Sequence, residues 1–195
     1  VAVHSPEPCV WEVPPAEIDG RDIDIEPDLS NAAPFLVAAL VAGGSVTISG
    51  WPETTTQVGA DLEDLLPQFG AKVDRVGGAL TVTGGAGIAA VDLDLSSGGE
   101  LAPALVALAA LAVGPSRITG IGHLRGHETD RLAALTAEIN ALGGAVTELD
   151  DGLEITPMLL RGPPGIGKTH FAREVAHLLG TGMGFVSMSS LTAGW

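Results

Sequence analysis

Between Gly120 and Arg131 the chain gathers His123, His127, Arg125, Arg131, Glu128 and Asp130 into twelve residues. A carboxylic acid can give or take a proton, an imidazole can do either, and a guanidinium grips phosphate or carboxylate through paired N–H donors. Glu100, in Ser96-Ser-Gly-Gly-Glu-Leu101, adds another carboxylate, so the parts for acid–base chemistry on an anionic substrate are present. A second chemistry stands near the other end. Gly162-Pro-Pro-Gly-Ile-Gly-Lys-Thr169 fits the phosphate-loop pattern GxxxxGK[ST]. Gly162, Gly165 and Gly167 let backbone N–H groups close around phosphates, Lys168 neutralises them, and Thr169 would ligate Mg²⁺, so Mg-ATP is the ligand it would take. No histidine spacing reads as a zinc site.

The first set must be held by a strand, a loop and a helix. Ser116–Thr119 is strand-like, and Leu132, Leu135, Ile139 and Leu142 recur at helical spacing over Thr129–Leu142. The polar cluster therefore lies where a helix begins, and backbone N–H groups and the helix dipole favour anions there. Simpler roles fit the same residues. Glu128 and Arg131 are spaced for an ion pair on one helical turn, Asp130 suits a helix start, and Glu100 suits a first turn. Asp28 with Ser30 reads as a helix cap. The phosphate loop has the right flanks too: Met158–Leu160 as a strand, then a helix with Phe171, Val175, Leu178 and Leu179 on one face.

Residues 1–21 hold two short extended runs, Val1–Val3 and Cys9–Val13, and then Pro14-Pro15; they read as the exit from a preceding unit and a linker. From Asp22 the chain repeats itself. The first unit runs as strand Asp22–Glu26, apolar helix Asn31–Ala42, strand Ser45–Ser49, amphipathic helix Thr55–Phe69, and hairpin Ala71–Arg75 with Ala79–Thr83. The second runs as Val91–Leu95, Leu101–Val113, Arg117–Thr119, Thr129–Leu142, and Ala145–Leu149 with Leu153–Thr156. Each unit is β-α-β-α-β-β, with one helix apolar on nearly every side. Such a helix must be surrounded by others, and two units do not suffice, which predicts a third.

At 195 residues and 46% hydrophobic, the chain has ample material for a core, built mostly from Ala, Val, Leu and Ile because only 4% is aromatic. A net charge of −15 argues against nucleic-acid or anionic-membrane partners. The apolar runs Ala32–Ala42 and Leu101–Val113 are too short to span a bilayer. Cys9 is the only cysteine, which excludes an internal disulfide and fits a reducing, cytoplasmic setting. The text changes near residue 156. Residues 1–155 carry six basic and 23 acidic residues, net −17, whereas residues 156–195 carry three and one, net +2. All three methionines fall in that last stretch, which suggests a join.

Gly126-His-Glu-Thr-Asp-Arg-Leu132 resembles the signature of the 5-enolpyruvylshikimate-3-phosphate (EPSP) synthases, and the repeated units are similar to those of the enolpyruvyl transferase fold. That resemblance implies an α/β architecture, an inside-out barrel in which each of two domains has three such units around packed apolar helices. Residues 22–156 would be two of the three units, with a complementary domain elsewhere. The implied reaction moves the enolpyruvyl group of phosphoenolpyruvate onto the 5-hydroxyl of shikimate 3-phosphate and releases phosphate, with no cofactor. Glu128 matches the proton-donating glutamate and Arg131 the arginine that holds phosphoenolpyruvate. Glu100 falls where the family has the carboxylate, often Asp, that accepts the hydroxyl proton. His127 stands where many members have lysine and His123 where many have asparagine; both would contact the sugar-like substrate, His127 with a pH-dependent charge. The related UDP-N-acetylglucosamine enolpyruvyl transferases fit the Glu100 spacing and the His-Glu-Thr-Asp-Arg motif less well.

Gly162–Thr169, with Phe185–Ser189 as the next strand, looks like the opening of an AAA+ ATPase over residues 157–195. The sequence stops at Trp195 before a Walker B acid or arginine finger, so nucleotide binding without hydrolysis is the expectation there. Three readings thus compete: a transferase segment, a nucleotide-binding module, and two reading frames joined by truncation or assembly.

Overall fold

A computed structural model describes residues 1–157. Of the P-loop stretch expected over 157–195, residues 158–195, with Gly162, Gly165, Gly167, Lys168 and Thr169, lie outside the described residues.

Two sheets share one core. The first is antiparallel in the order β1 (Ser45–Ser49), β3 (Ala79–Thr83), β2 (Lys72–Val76). The second runs β4 (Asp92–Asp94), β5 (Ser116–Thr119), β7 (Gly152–Thr156), β6 (Ala145–Leu149), with β4 parallel to β5 and the rest antiparallel. In the alternating strands β3 and β7, Leu80 and Val82, and Leu153 and Ile155, turn into the core, as a period of two requires.

The two apolar helices, α1 (Ala33–Ala42) and α3 (Ala102–Ala109), pack on each other. Each has proline in its first turn, where the missing N–H costs nothing, and each is entered through a short 3-10 turn. Leu36 and Leu40 meet the core from one, Leu105 and Leu108 from the other. Phe35, 63% exposed, and Val41 leave one side of α1 open, whereas α3 is buried along most of its length and the open Leu111 and Val113 follow it. The amphipathic helices α2 (Leu62–Gln68) and α4 (Arg131–Ala141) place Leu62, Leu66, Leu132 and Ile139 against the sheets.

The second unit has the expected β-α-β-α-β-β order; the first lacks its opening strand. Asp22–Glu26 forms no strand, and Ile23 and Ile25 stay 65% and 85% exposed. The matching Asp92-Leu-Asp-Leu95 buries Leu93 and Leu95 beside β5. The difference has a local cause. Glu26 Oε2 accepts hydrogen bonds from Thr55 Oγ1 (2.7 Å) and Gln57 Nε2 (2.8 Å), and Pro27 offers no N–H to a ladder, so this segment is tied to the Thr55–Gln57 loop. The same tie shortens the helix expected over Thr55–Phe69. Gln57 is extended, its Oε1 accepts the Leu29 N–H at 3.0 Å, and regular helix starts only at Leu62 after the 3-10 turn Val58–Asp61. The helix expected over Leu101–Val113 likewise ends at Ala109. Of the extended runs near the N-terminus, only a single His4–Glu12 bridge forms.

Candidate active site

Three 3-10 turns open onto one cavity of about 440 Å³. They are Val58–Asp61, Gly99–Leu101 leading into α3, and Gly122–Gly126 preceding α4. Thr56, Gln57 and Val58 line it from the first unit; Ser96, Ser97, Gly99 and Glu100 line it from the loop after β4; His123, Leu124 and His127 line it from the loop after β5. Backbone N–H groups at the start of the Val58–Asp61 and Gly99–Leu101 turns lack partners within the turn, so they suit an anion.

The loop after β5 is anchored from below and behind. Ile121 and Leu124 are buried in the core. Asp151, at the β6–β7 hairpin tip, accepts the Gly122 N–H through Oδ1 (2.9 Å) and the Gly120 N–H through Oδ2 (3.2 Å). Gly120 has φ +77, and a Cβ there would lie 2.5 Å from the Ser96 nitrogen, so only glycine lets this turn pass the neighbouring loop. That neighbour is shaped by Asp94, whose Oδ1 accepts the Ser96 N–H at 2.8 Å and whose carboxyl is thereby held below the usual aspartate range. Gly99 serves a similar end. A Cβ on it would overlap the His123 imidazole, approaching Cε1 to 2.7 Å. The His123 and His127 rings lie 6.1 Å apart, tilted by 53°.

Asp130 caps α4, its Oδ1 accepting the Ala133 N–H at 3.0 Å. Its carboxyl lies below the usual range, first through that bond and then through Arg125. Glu128 Oε2 accepts from Arg131 Nη2 at 3.3 Å while remaining 83% exposed. Its own backbone N–H and then the Arg131 guanidinium hold the Glu128 carboxyl below the usual glutamate range.

Glu100, His123 and His127 therefore share one cavity, whereas Glu128 and Arg131 are not among the residues that line it. Arg131 instead borders a groove of about 250 Å³ with Pro103, Ala134, Leu135 and Glu138, between α3 and α4. Glu128 lines neither space, and its tie to Arg131 is the contact that links it to the groove. The sequence reading missed Thr56 and Gln57. The signal was there: a polar Glu53–Gln57 run after β1 holds the place in the first unit that the His-rich loop holds in the second. Among the described residues no cluster of His, Cys, Asp and Glu could hold a metal ion, and no helix is long and apolar enough to cross a membrane.

Comparison with known proteins gives two sequence-family matches. The EPSP synthase (3-phosphoshikimate 1-carboxyvinyltransferase) family matches residues 1–165, and the AAA family (ATPase family associated with various cellular activities) matches residues 158–195. The 3-phosphoshikimate 1-carboxyvinyltransferase of Kocuria rhizophila is 59% identical over 152 residues, 78% of this chain and 34% of the relative. That of Tropheryma whipplei is 51% identical over 167 residues, 86% of this chain and 38% of the relative. The chain thus spans 34–38% of the length of these curated relatives. Among solved structures, EPSP synthase from Acinetobacter baumannii superposes with a TM-score of 0.60 at 26% identity, covering 80% of this chain and 38% of that one. The enolpyruvyl transferase NikO from Streptomyces tendae gives 0.54 at 24% identity, covering 74% and 33%, a likeness of fold.

Proposed function

The chain belongs to the EPSP synthase family, and from that premise we propose that residues 1–156 are a segment of a 3-phosphoshikimate 1-carboxyvinyltransferase. The observation that carries this reading is the cavity in which Glu100 meets His123 and His127 where three 3-10 turns begin. In this reading residues 1–21 leave a preceding domain, and residues 22–156 are two of three units of an inside-out α/β barrel. The longer relatives hold room for the third unit and for a complementary domain.

Glu100 takes the proton from the 5-hydroxyl of shikimate 3-phosphate as that oxygen attacks C2 of phosphoenolpyruvate. Glu128 gives a proton to the methylene carbon, Arg131 holds the phosphoenolpyruvate anion, and His123 and His127 contact the ring substrate. The tetrahedral adduct then loses phosphate and a methyl proton to restore the enol ether. Stabilising the charge that develops on these oxygens is the task of the turn N–H groups and Arg131. No cofactor enters this scheme. The anions are drawn in by local groups despite the net charge of −15, because screening confines the far field to about 10 Å at 0.1 M salt. For Arg131 and Glu128 to serve the same substrate as Glu100, Arg131 must turn from the α3–α4 groove, and Glu128 with it, towards the cavity.

Titration of the isotopically labelled chain with shikimate 3-phosphate tests this. Shifts confined to the cavity lining, Thr56 to Val58, the Ser96–Glu100 loop, His123, Leu124 and His127, are expected; shifts elsewhere, or none at millimolar ligand, would remove the reading. Phosphate release with both substrates present is not expected from this chain alone.

A second reading rests on the AAA match over residues 158–195 and the P-loop within it. There Gly162, Gly165, Gly167, Lys168 and Thr169 bind Mg-ATP, and the transferase segment is fused to the start of an ATPase. A rise in melting temperature with millimolar Mg-ATP, abolished by Lys168→Ala, would support it; no rise would count against it.

A further inference from the structure

The geometry points to Arg125 as a positioning residue, which clasps the loop carrying His123, His127 and Glu128 to the β6–β7 hairpin and to the start of α4. This rests on the transferase reading for its meaning, though not for its geometry.

Arg125 lies in the Gly122–Gly126 turn and reaches three oxygens. Its Nη1 donates to Glu148 Oε2 at 2.6 Å and to Asp130 Oδ2 at 3.2 Å, and its Nη2 donates to the Leu149 carbonyl at 2.9 Å. Glu148 and Leu149 end β6, and Asp130 is the cap of α4, so one guanidinium joins turn, strand and helix. Residues 127–129 lie between these anchors and, among the described residues, make no backbone hydrogen bond of their own to another element. The clasp and the Glu128–Arg131 pair are the polar ties around that span. Arg125 does not line the cavity, and three of its donor hydrogens are given to protein oxygens that turn both terminal nitrogens towards β6 and α4, so its part is to position the loop.

The first unit supports a shared design. Arg75 on β2 faces Leu80, and Glu148 on β6 faces Leu153, so the two occupy matching places in their hairpins. Arg75 Nη1 donates to Glu63 Oε1 of α2 at 3.4 Å and its Nη2 donates to the Pro52 carbonyl, again joining strand, helix and loop. In the second unit the charges are exchanged: the strand bears the acid and the loop bears the cation. Removing Arg125 would also leave the half-buried Asp130 and the exposed Glu148 as like charges without the cation that joins them.

The test uses the whole labelled chain with Arg125→Ala, Arg125→Lys and Glu148→Gln, read by NMR. Arg125→Ala is expected to move the Glu128 titration midpoint up and to shift the His123 and His127 ring signals, leaving the Trp51 indole N–H of the first unit in place. Arg125→Lys keeps the charge without the fork and should restore those signals in part, and Glu148→Gln should give a smaller shift of the same kind. Shikimate 3-phosphate affinity should fall on the order of tenfold in Arg125→Ala, as displaced site groups would cause. Glu128 and imidazole signals unmoved in the folded variants would overturn the proposal; should Arg125→Ala fail to fold, Arg125→Lys and Glu148→Gln decide it by the same signals. If those signals move while the unaltered chain shows no ligand binding, the clasp stands and the transferase reading falls.

Discussion

Glu128 and Arg131 face each other at the entrance to α4, Oε2 to Nη2 at 3.3 Å, and this pairing opposes the chemistry proposed for the acid. A proton donor must hold its proton, yet the guanidinium favours the ionised carboxylate. An anion that draws Arg131 away would relieve that preference, so substrate capture and arming of the acid become one event.

Arg131→Gln should therefore raise the Glu128 titration midpoint towards the ordinary glutamate value, read from its side-chain carboxyl carbon. A depressed carboxylate contributes stability above its unfolded-state value, and that contribution is lost as pH falls through the lower folded value. Arg131→Gln should flatten that acid limb. A midpoint that does not move would refute the coupling.

Gly99→Ala sets the new methyl against the exposed His123 imidazole. Gly99 itself is buried, but the ring can swing into solvent, so the loss in unfolding free energy should stay at the low end of what overpacking costs, about 1 kcal/mol. Shikimate 3-phosphate binding should weaken and the His123 ring signals should shift. A large loss of stability would mean that the ring is fixed more firmly than its exposure suggests.

Gly120→Ala meets backbone instead, with the methyl 2.5 Å from the Ser96 nitrogen at φ +77. Neither loop can yield without breaking the turns around the cavity, so a loss of about 2–3 kcal/mol in urea unfolding is expected from strain and overpacking together. A near-neutral result would show that the two loops are free to separate.

Glu63→Ala removes the acceptor of the buried Trp51 indole N–H, now bonded at 2.6 Å, and also frees Arg75. An unsatisfied buried donor costs about 1–3 kcal/mol, to be measured by denaturant unfolding. Glu63→Gln keeps an acceptor and should recover most of the loss.

Much of this molecule could be read in advance where pattern and partner coincide. Leu132 and Ile139 show helical spacing and are buried; Leu80 and Val82 alternate and are buried. Asp130 stands where a cap is needed and is one. Ile23 and Ile25 alternate as well, yet period alone does not name the strand that must lie alongside, and Glu26 with Pro27 turns that segment elsewhere. The grouping of Glu100 with His123 and His127 was legible through the family motif. Gln57 and Arg125 were not, because their roles depend on residues 28 to 31 positions away for one and 23 to 24 for the other.

Among the described residues β1 has β3 on one flank and no strand on the other, where β5 has β4. A bare flank of this kind is a template for a neighbouring molecule, and the net −17 carried by residues 1–155 keeps such neighbours apart. Added salt shortens the reach of that repulsion from about 10 Å at 0.1 M to about 3 Å at 1 M. Clustering of the chain should hence grow, not shrink, as ionic strength rises, and light scattering at increasing sodium chloride would register it.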